Sequence, residues 1–304
     1  MGSSEIIKSV VKPPFANYDI VVYFGCGLFV LPFLRHYITE PFGLRFPVFT
    51  FEIGIPFISG LITALSLFFA VYILGHIIAY AASQLIEKTV EMIFAGKTSS
   101  VITFASKATS ETRAGIFRDR LGVGFRHSWT KHSWLAALVR FGSHLPVFPI
   151  YIVIYFCGIF GFYSTRVPHT IITESDIRLS KLDLGVRISD YESWFKIIEG
   201  VVINNQPIPT ARMYNYLVIA GLFRSVALIF LFALWMEVIH FLLRNVFALT
   251  HIGFFLSDSG GATRWLVGYA VLSIVYLFSL FSFLKFQRRY VEVAIFAFVL
   301  SAGP

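Results

Sequence analysis

Long apolar stretches limit what this chain can fold into. Four of them, at 53–82, 145–163, 216–241 and 265–284, are about as long as a helix that crosses a bilayer, which needs ~20 apolar residues. The 304-residue chain is 57% hydrophobic and 14% charged, whereas an average soluble domain carries roughly 25% charged residues. A soluble fold has too little polar surface to cover so much apolar material. The sequence therefore predicts an all-α integral membrane protein.

A fifth apolar stretch, at 20–34, is shorter and contains Gly25, Gly27 and Pro32, with Arg35 directly after it. It is consistent with a tilted span, a re-entrant hairpin or an interfacial helix. We therefore expect a helical bundle of four or five transmembrane segments, of which at least four cross the membrane.

Two polar stretches between the apolar segments predict two small extramembrane segments. In the second of them, the alternation of apolar and polar residues at 177–184 and the turn residues Asn204 and Asn205 predict short strands and loops, with one helix near 189–200. The chain then divides into an N-terminal membrane region 1–82, a basic extramembrane segment 83–144, a third apolar segment 145–163, a mixed extramembrane segment 164–213, a C-terminal membrane region 214–284 and a basic, amphipathic tail 285–304.

Two rules disagree on the topology. Hydropathy makes 145–163 a span, which places the two polar stretches on opposite sides of the membrane. Lys and Arg are then almost evenly divided between the sides. If 145–163 stays buried without crossing, most Lys and Arg lie on one side, as the positive-inside rule favours. The sequence leaves both arrangements open.

Polar side chains recur at helical spacing on two of the apolar segments. Because an ionisable group facing lipid is costly, such residues mark either a water path or hydrogen-bonded packing between helices, and both interpretations stay open. The stripe on the second segment consists of Tyr72, His76, Tyr80, Ser83, Glu87 and Glu91; that on the fourth consists of Glu237, His240, Arg244 and His251, with Arg224 on the opposite face.

The chain has no motif that predicts enzyme chemistry, a metal site or a cofactor. It lacks HExxH, a glycine-rich phosphate loop and a nucleophile-elbow serine. His76 and His240 on separate helices are a weak signal for haem. Cys26 and Cys157 both lie in apolar segments and behave as small hydrophobes there. The first residues lack the apolar core of a cleavable signal peptide.

The region 97–140 combines cations with aromatic side chains, in a protein whose net charge is +8. Cations that contact phosphates and aromatics that stack on bases are typical of nucleotide or single-strand recognition. The alternative is a loop lying against anionic lipid headgroups. The candidate anionic-ligand residues are Arg113, Arg118, Arg120, Phe125, Arg126, Trp129 and Lys131.

Three stretches carry a resemblance to a family. They are Gly75 to Tyr80 leading to Ile86–Lys88, Tyr216 to Arg224, and Lys285 to Tyr290 with Glu292. In these three stretches the chain resembles bacterial multi-span inner-membrane proteins, some of which occur in anti-phage defence operons. The resemblance implies a membrane effector that is opened or closed by a nucleotide or oligonucleotide signal.

Taken with the stripes, these features predict a homo-oligomeric membrane channel or pore-forming effector in the bacterial inner membrane, gated by its extramembrane segments. The expected partners are the bilayer, further copies of the chain and a nucleotide or short nucleic acid. The alternatives are a membrane enzyme or cofactor-binding protein that uses intramembrane His and Glu, and a secondary transporter.

Overall fold

The computed structural model describes residues 19–40, 56–93, 134–147, 168–182, 191–246 and 262–301. Within these ranges every element is a helix, and no strand occurs. Four of the helices are long and apolar enough to cross a membrane: Ile20–Thr39, Phe57–Val90, Pro207–Leu243 and Trp265–Leu300. The protein is thus an all-α membrane bundle, and the expectation of at least four spans agrees with the structure.

The first span, Ile20–Thr39, is a helix that we call the N-terminal span. Its central α-helix α1, Gly25–Leu34, lies between the π-helical turns Asp19–Phe24 and Arg35–Thr39. Pro32 is accommodated inside α1. The glycines and the proline had made this segment ambiguous in the sequence, but its length and continuous helical form make it a candidate span.

The second span begins as α2, Pro56–Ala82, and continues through a π-helical turn, Ser83–Glu87, into α3, Lys88–Ile93. It packs closely against the N-terminal span, because glycines remove side chains where the two backbones meet. Gly27 lies against the carbonyl of Val71, and Gly75 lies against the carbonyl of Tyr23. These two contacts show that the spans are antiparallel.

The remaining spans form a long antiparallel hairpin. The helices α7, Pro207–Val246, and α8, Ala262–Leu300, contain 40 and 39 residues, which is about 60 Å of helix each, or twice the ~30 Å hydrocarbon core. Ring contacts between Tyr216 and Phe286 at one end, and between Phe241 and Trp265 at the other, fix their antiparallel register. The hairpin therefore extends well beyond the bilayer.

The part of the hairpin that contains the start of α7 and the end of α8 packs with two shorter helices. These are α5, His169–Lys181, and α6, Tyr191–Asn205. They form a second apolar core with buried residues of α8 from Tyr290 to Val299. The first core, in the membrane bundle, joins the N-terminal span, the second span and the other part of the hairpin.

The structure corrects the prediction of a strand over residues 177–182; residues 183 and 184 of the predicted stretch lie outside the described part. Residues up to Lys181 belong to α5, and Leu182 follows in an extended conformation. The apolar and polar residues here fit a helix as well as a strand, because Ile172, Ser175 and Leu179 share one buried face. The helix predicted near 189–200 is confirmed as α6.

Two helices continue across the predicted segment boundaries at 213 and 284. Helix α7 begins at Pro207, and α8 continues without interruption through the expected tail to Leu300. The charged residues after 284 do not end the helix, since no glycine or proline accompanies them and Arg288 and Arg289 both pair with Glu292. The residues after Ser301 are outside the described part.

The described segments that end at residue 147 and begin at residue 168 lie at opposite ends of the hairpin. Near one end lie a short helix α4, Trp134–Ser143, and the 3₁₀ turn Leu145–Val147. Here Trp235 Nε1 donates a hydrogen bond to the Ser143 carbonyl at 2.6 Å, and the Tyr269 hydroxyl donates one to the Pro146 carbonyl at 2.9 Å. Helix α5 lies at the other end, where Arg178 donates to the Ser301 carbonyl at 2.6 Å.

Tyr269 and Ser301 are separated by about 48 Å of helix at 1.5 Å per residue. Most of the third apolar segment, 145–163, is outside the described residues, but its two flanks lie at these two ends. From the positions of these two flanks we predict that 145–163 crosses the membrane. We predict that reporters fused after Lys131 and after Lys181 give signals from opposite sides of the membrane. A reporter after Ser301 should match the one after Lys181, and identical signals at Lys131 and Lys181 would contradict the crossing.

Candidate functional site

An enclosed polar group lies between the N-terminal span and α7. The Tyr37 hydroxyl donates a hydrogen bond to Glu237 Oε1 at 2.7 Å. The ring of His240 lies 5.6 Å from the ring of Tyr37. Relative exposures are 0% for Tyr37, 4% for Glu237 and 1% for His240. We call these three residues the Tyr37 cluster.

Helix geometry explains why the cluster forms. Glu237 and His240 are three residues apart on α7 and therefore share a face. That face packs against the N-terminal span, which runs parallel to α7. The ring of Phe33 contacts the ring of Phe230, and Tyr37 lies about one helical turn after Phe33. Rings of Phe33 and Phe232 flank Tyr37 and keep the cluster apolar on those sides.

A second polar contact joins α7 to the end of the second span. Arg224 Nη1 donates to Glu87 Oε2 in a salt bridge whose side chains are 13% and 25% exposed. Arg224 Nε is buried without a hydrogen-bond partner among the described residues. Arg224 and Glu237 lie on opposite faces of α7, so they cannot pair with each other and their partners come from other segments. Glu87 and Tyr37 are those partners.

The third group lies on the outer surface of the bundle. His76 is exposed, and its ring stacks on that of Tyr23 at 3.6 Å, with Tyr72 edge-on at 4.5 Å. Tyr80, one turn further along, is 71% exposed. Ser83 is half-buried in the π-helical turn. This part of the stripe on the second span thus faces away from the core of the monomer.

The two predicted stripes do not face each other. Glu237 and His240 contact the N-terminal span, and His76 also contacts the N-terminal span, but at Tyr23. Tyr23 and Tyr37 are about 21 Å apart along that span at 1.5 Å per residue, so His76 and His240 cannot bind one metal ion or one haem in this arrangement. No group of three or more metal-binding side chains occurs in the described ranges.

Several predicted site residues cannot be placed. The side chain of Arg244 lies outside the described residues, and so do His251 and Cys157. The same holds for the whole anionic-ligand set: Arg113, Arg118, Arg120, Phe125, Arg126, Trp129 and Lys131.

Sequence reasoning missed Tyr23 and Tyr37, which complete two of the three polar groups. Both lie in or beside the apolar stretch 20–34, which the sequence left open as a span, a re-entrant hairpin or an interfacial helix. A tyrosine in a membrane segment is commonly an interfacial residue, so its type alone did not indicate a buried partner. The available signal was the neighbouring pair His36-Tyr37 directly after Arg35, which concentrates polar groups at the end of an apolar stretch.

His144 is a buried histidine outside the four spans. It is 2% exposed, and its Nδ1 lies 2.9 Å from the carbonyl of Arg140 and 3.0 Å from Ser143 Oγ. Burial lowers the pKa of His144 to about 4, and the hydrogen bond with the Arg140 carbonyl opposes this shift in part. His144 is therefore neutral in the folded protein near neutral pH.

This pKa predicts a pH-dependent stability. Between the unfolded value of ~6.5 and the folded value of about 4, the unfolded chain binds a proton that the folded chain does not. Stability should fall as pH drops through this window, by up to ~3 kcal/mol, and level off below it. Thermal unfolding of the purified protein in detergent should show a smaller pH dependence for His144→Gln than for the wild type. Equal pH dependence in both proteins would contradict the assignment.

Together the fold and these contacts define an integral membrane protein with paired polar groups inside the bundle and a further polar stripe outside it. No protein-family model, curated protein or solved structure matches this chain.

Proposed function

We propose that the protein is a homo-oligomeric membrane channel in which the second spans of several copies surround the water path. The observation that carries the proposal is the exposed position of His76, beside Tyr72, on the outside of the monomer. A polar, ionisable side chain at such a position is costly against lipid. A water-filled seam between copies provides the polar surroundings that it needs.

The burial of the spans supports a path between copies rather than within one. In the apolar stretch of the span Phe57–Val90, only 6% is buried inside the monomer, whereas 56% of the apolar stretch of Pro207–Leu243 is buried. Inside the monomer, the ionisable groups Arg224 and Glu237 hydrogen-bond to Glu87 and Tyr37. A continuous water path through the monomer would have to separate these pairs.

Thiol accessibility tests the position of the water path. In a variant without Cys26 and Cys157, single cysteines at Tyr72 and His76 should react with a small hydrophilic thiol reagent. Cysteines at Leu67, which is exposed and apolar on the opposite face of the helix, and at Glu237, which is buried and polar, serve as controls, and both should be protected. Fast reaction at Glu237 with protection at His76 would overturn the proposal.

The mass of the detergent-solubilised protein tests the oligomer. The proposal requires several copies of the 34.4 kDa chain in one particle. A strict monomer would remove the shared path and leave a secondary transporter as the better hypothesis. The Tyr37 cluster favours that second candidate, because buried Glu and His side chains in spans are typical of proton relays in transporters.

We further propose that the basic extramembrane segment gates the channel by binding a nucleotide or short nucleic acid, as a membrane effector in anti-phage defence in the bacterial inner membrane. The support is the combination of Arg118, Arg126 and Trp129 in the sequence, together with the family resemblance described above. Cations would hold phosphates and an aromatic ring would stack on a base, a contact worth ~1–3 kcal/mol per base.

Titration with labelled oligonucleotides at several salt concentrations tests this ligand. Binding should weaken with salt and fall in Arg118→Gln, Arg126→Gln and Trp129→Ala. Lys196→Gln is the matched control, because it removes one exposed cation from α6 and should leave binding unchanged. No binding, or equal losses in all four variants, would leave only attraction to lipid headgroups.

A further inference from the structure

We propose that three exposed cations bind the headgroups of anionic phospholipids at the level where the hairpin of α7 and α8 leaves the hydrocarbon core. They are Arg212 on α7 and Lys285 and Arg289 on α8, and we call them the boundary cations. The proposal makes no use of the stripe on the second span, so it holds for a monomer as well as for an oligomer.

A stripe of exposed side chains runs along α8 and changes in character near its middle. Val271, Ile274 and Phe278 are exposed and apolar. Lys285 and Arg289 continue the same stripe, because seven residues make nearly two full turns of a helix. An outward-facing apolar side chain is favourable in hydrocarbon, whereas an outward-facing charge is costly there. The hydrocarbon core therefore ends between Phe278 and Lys285.

The length of α8 gives the same boundary. Trp265 and Tyr269 lie at the opposite end of the apolar part, and these residue types are enriched at membrane interfaces. About 30 Å of helix separates Trp265 from Lys285, which equals the thickness of the hydrocarbon core. Phe296 and Leu300 are again exposed and apolar, but Leu300 is about 52 Å of helix from Trp265, so one core cannot contain both. The cations of α8 thus lie at the level of the headgroups.

Arg212 reaches this level from the other helix of the hairpin. The rings of Tyr216 and Phe286 lie 6.1 Å apart, and Arg212 is about one helical turn before Tyr216. Because the two helices are antiparallel, one turn before Tyr216 corresponds to about one turn after Phe286, which is the level of Arg289. Two neighbouring helices therefore present cations at one depth.

The charges at this level are available to an external anion. Glu292, the acidic residue of α8, is only 13% exposed and pairs with Arg289, which is half-exposed. A guanidinium group has five N–H donors, so this pairing leaves donors of Arg289 for a phosphate. Within the described ranges, Arg212 and Lys285 form no salt bridge. The outward surface is thus cationic.

The adjoining apolar stripe favours a lipid over a soluble anion. Phe278 is about 10 Å of helix from Lys285, on the side of the hydrocarbon core. A phospholipid whose acyl chains lie against Ile274 and Phe278 places its phosphate among the boundary cations. A soluble phosphate would contact the cations alone. The ligand that fits both parts of the stripe is an anionic phospholipid.

Spin-labelled lipids test the proposal with the full-length protein in phosphatidylcholine vesicles. Electron paramagnetic resonance spectra separate lipids held at the protein surface from lipids of the free bilayer. We expect the protein to hold phosphatidylglycerol in preference to phosphatidylcholine, and the preference to weaken as salt is raised. Lys285→Gln and Arg289→Gln should each lower the preference up to about five-fold, which corresponds to ~1 kcal/mol for one basic residue near an anionic surface.

Lys181→Gln is the matched control. Lys181 is an exposed cation at the end of α5, about one turn after Arg178, which donates to the Ser301 carbonyl. Ser301 is about 24 Å past Lys285 along α8, so this variant should keep the wild-type preference. Equal losses in Lys181→Gln and Lys285→Gln would show that binding follows net charge alone and would overturn the proposal. A wild type without preference for phosphatidylglycerol would also overturn it.

Glycerol 3-phosphate distinguishes a lipid site from a site for soluble phosphates. At equal ionic strength, it should displace no more phosphatidylglycerol than sodium chloride does. Greater displacement would identify a soluble anion as the ligand and overturn the assignment to lipid. These measurements need no conductance and no oligomer, so failure here is distinct from failure of the channel proposal.

Discussion

Replacing Gly75 by alanine should separate the N-terminal span from α2 and cost at least ~3 kcal/mol, the upper end of the range for overpacking. A Cβ at this position would overlap the carbonyl carbon and oxygen of Tyr23. These are backbone atoms, so no side chain can rotate away to make room. One of the two helices must move, which also disturbs the stacking of Tyr23 on His76. Unfolding of the purified protein by denaturant in detergent measures the loss.

Gly60→Ala is the matched control on the same helix. A Cβ there meets nothing within 4 Å, and alanine is favoured over glycine in helices by ~1 kcal/mol. Gly60→Ala should therefore be neutral or slightly stabilising, and Gly27→Ala should behave like Gly75→Ala, since its Cβ would overlap the carbonyl of Val71. Equal stabilities for Gly60→Ala and Gly75→Ala would show that close backbone contact does not hold these spans together.

Arg224→Gln should also be strongly destabilising, with a loss of ~3–5 kcal/mol, because it leaves Glu87 as a largely buried carboxylate without its cation. Replacing both partners, as Arg224→Met with Glu87→Leu, should recover much of that loss, since two apolar side chains leave no charge to desolvate. The same unfolding measurement on Arg224→Met, on Glu87→Leu and on the double variant completes a double-mutant cycle.

The pair of Arg35 and Glu40 is the exposed control for this cycle. Their side chains are 75% and 51% exposed, so Arg35→Gln should cost less than ~1 kcal/mol. If Arg224→Gln and Arg35→Gln cost the same, the Arg224 contact does not contribute more than a surface ion pair. If the double variant is no more stable than Arg224→Gln, the loss comes from packing around Arg224 and not from the charge on Glu87.

Much of the fold could be predicted because the bilayer imposes a simple length and polarity rule on each span. The stretches 53–82, 216–241 and 265–284 meet that rule, and each lies within a helix or is largely contained in one. The rule does not say where a helix ends outside the membrane. Helices α7 and α8 therefore extend far beyond the predicted segments, where packing against α5 and α6 stabilises them.

Only part of the candidate site could be predicted from the sequence, for a related reason. Helical spacing places Glu237 and His240 on one face and Arg224 on the opposite face, which follows from the sequence alone. Spacing does not say which neighbour covers each face. In the structure, the N-terminal span covers Glu237 and the end of the second span covers Arg224.

The sequence by itself determined that this protein crosses a membrane as a bundle of helices, because an apolar helix of sufficient length satisfies its own backbone and needs no information from the rest of the chain. Only the tertiary structure decided the partners of the buried polar side chains. Tyr37 and Glu237 are 200 residues apart in the sequence, and Glu87 and Arg224 are 137 apart. Such pairs depend on which helix faces meet in space, and that is set by the close contacts at Gly27 and Gly75 and by the packing of the whole bundle.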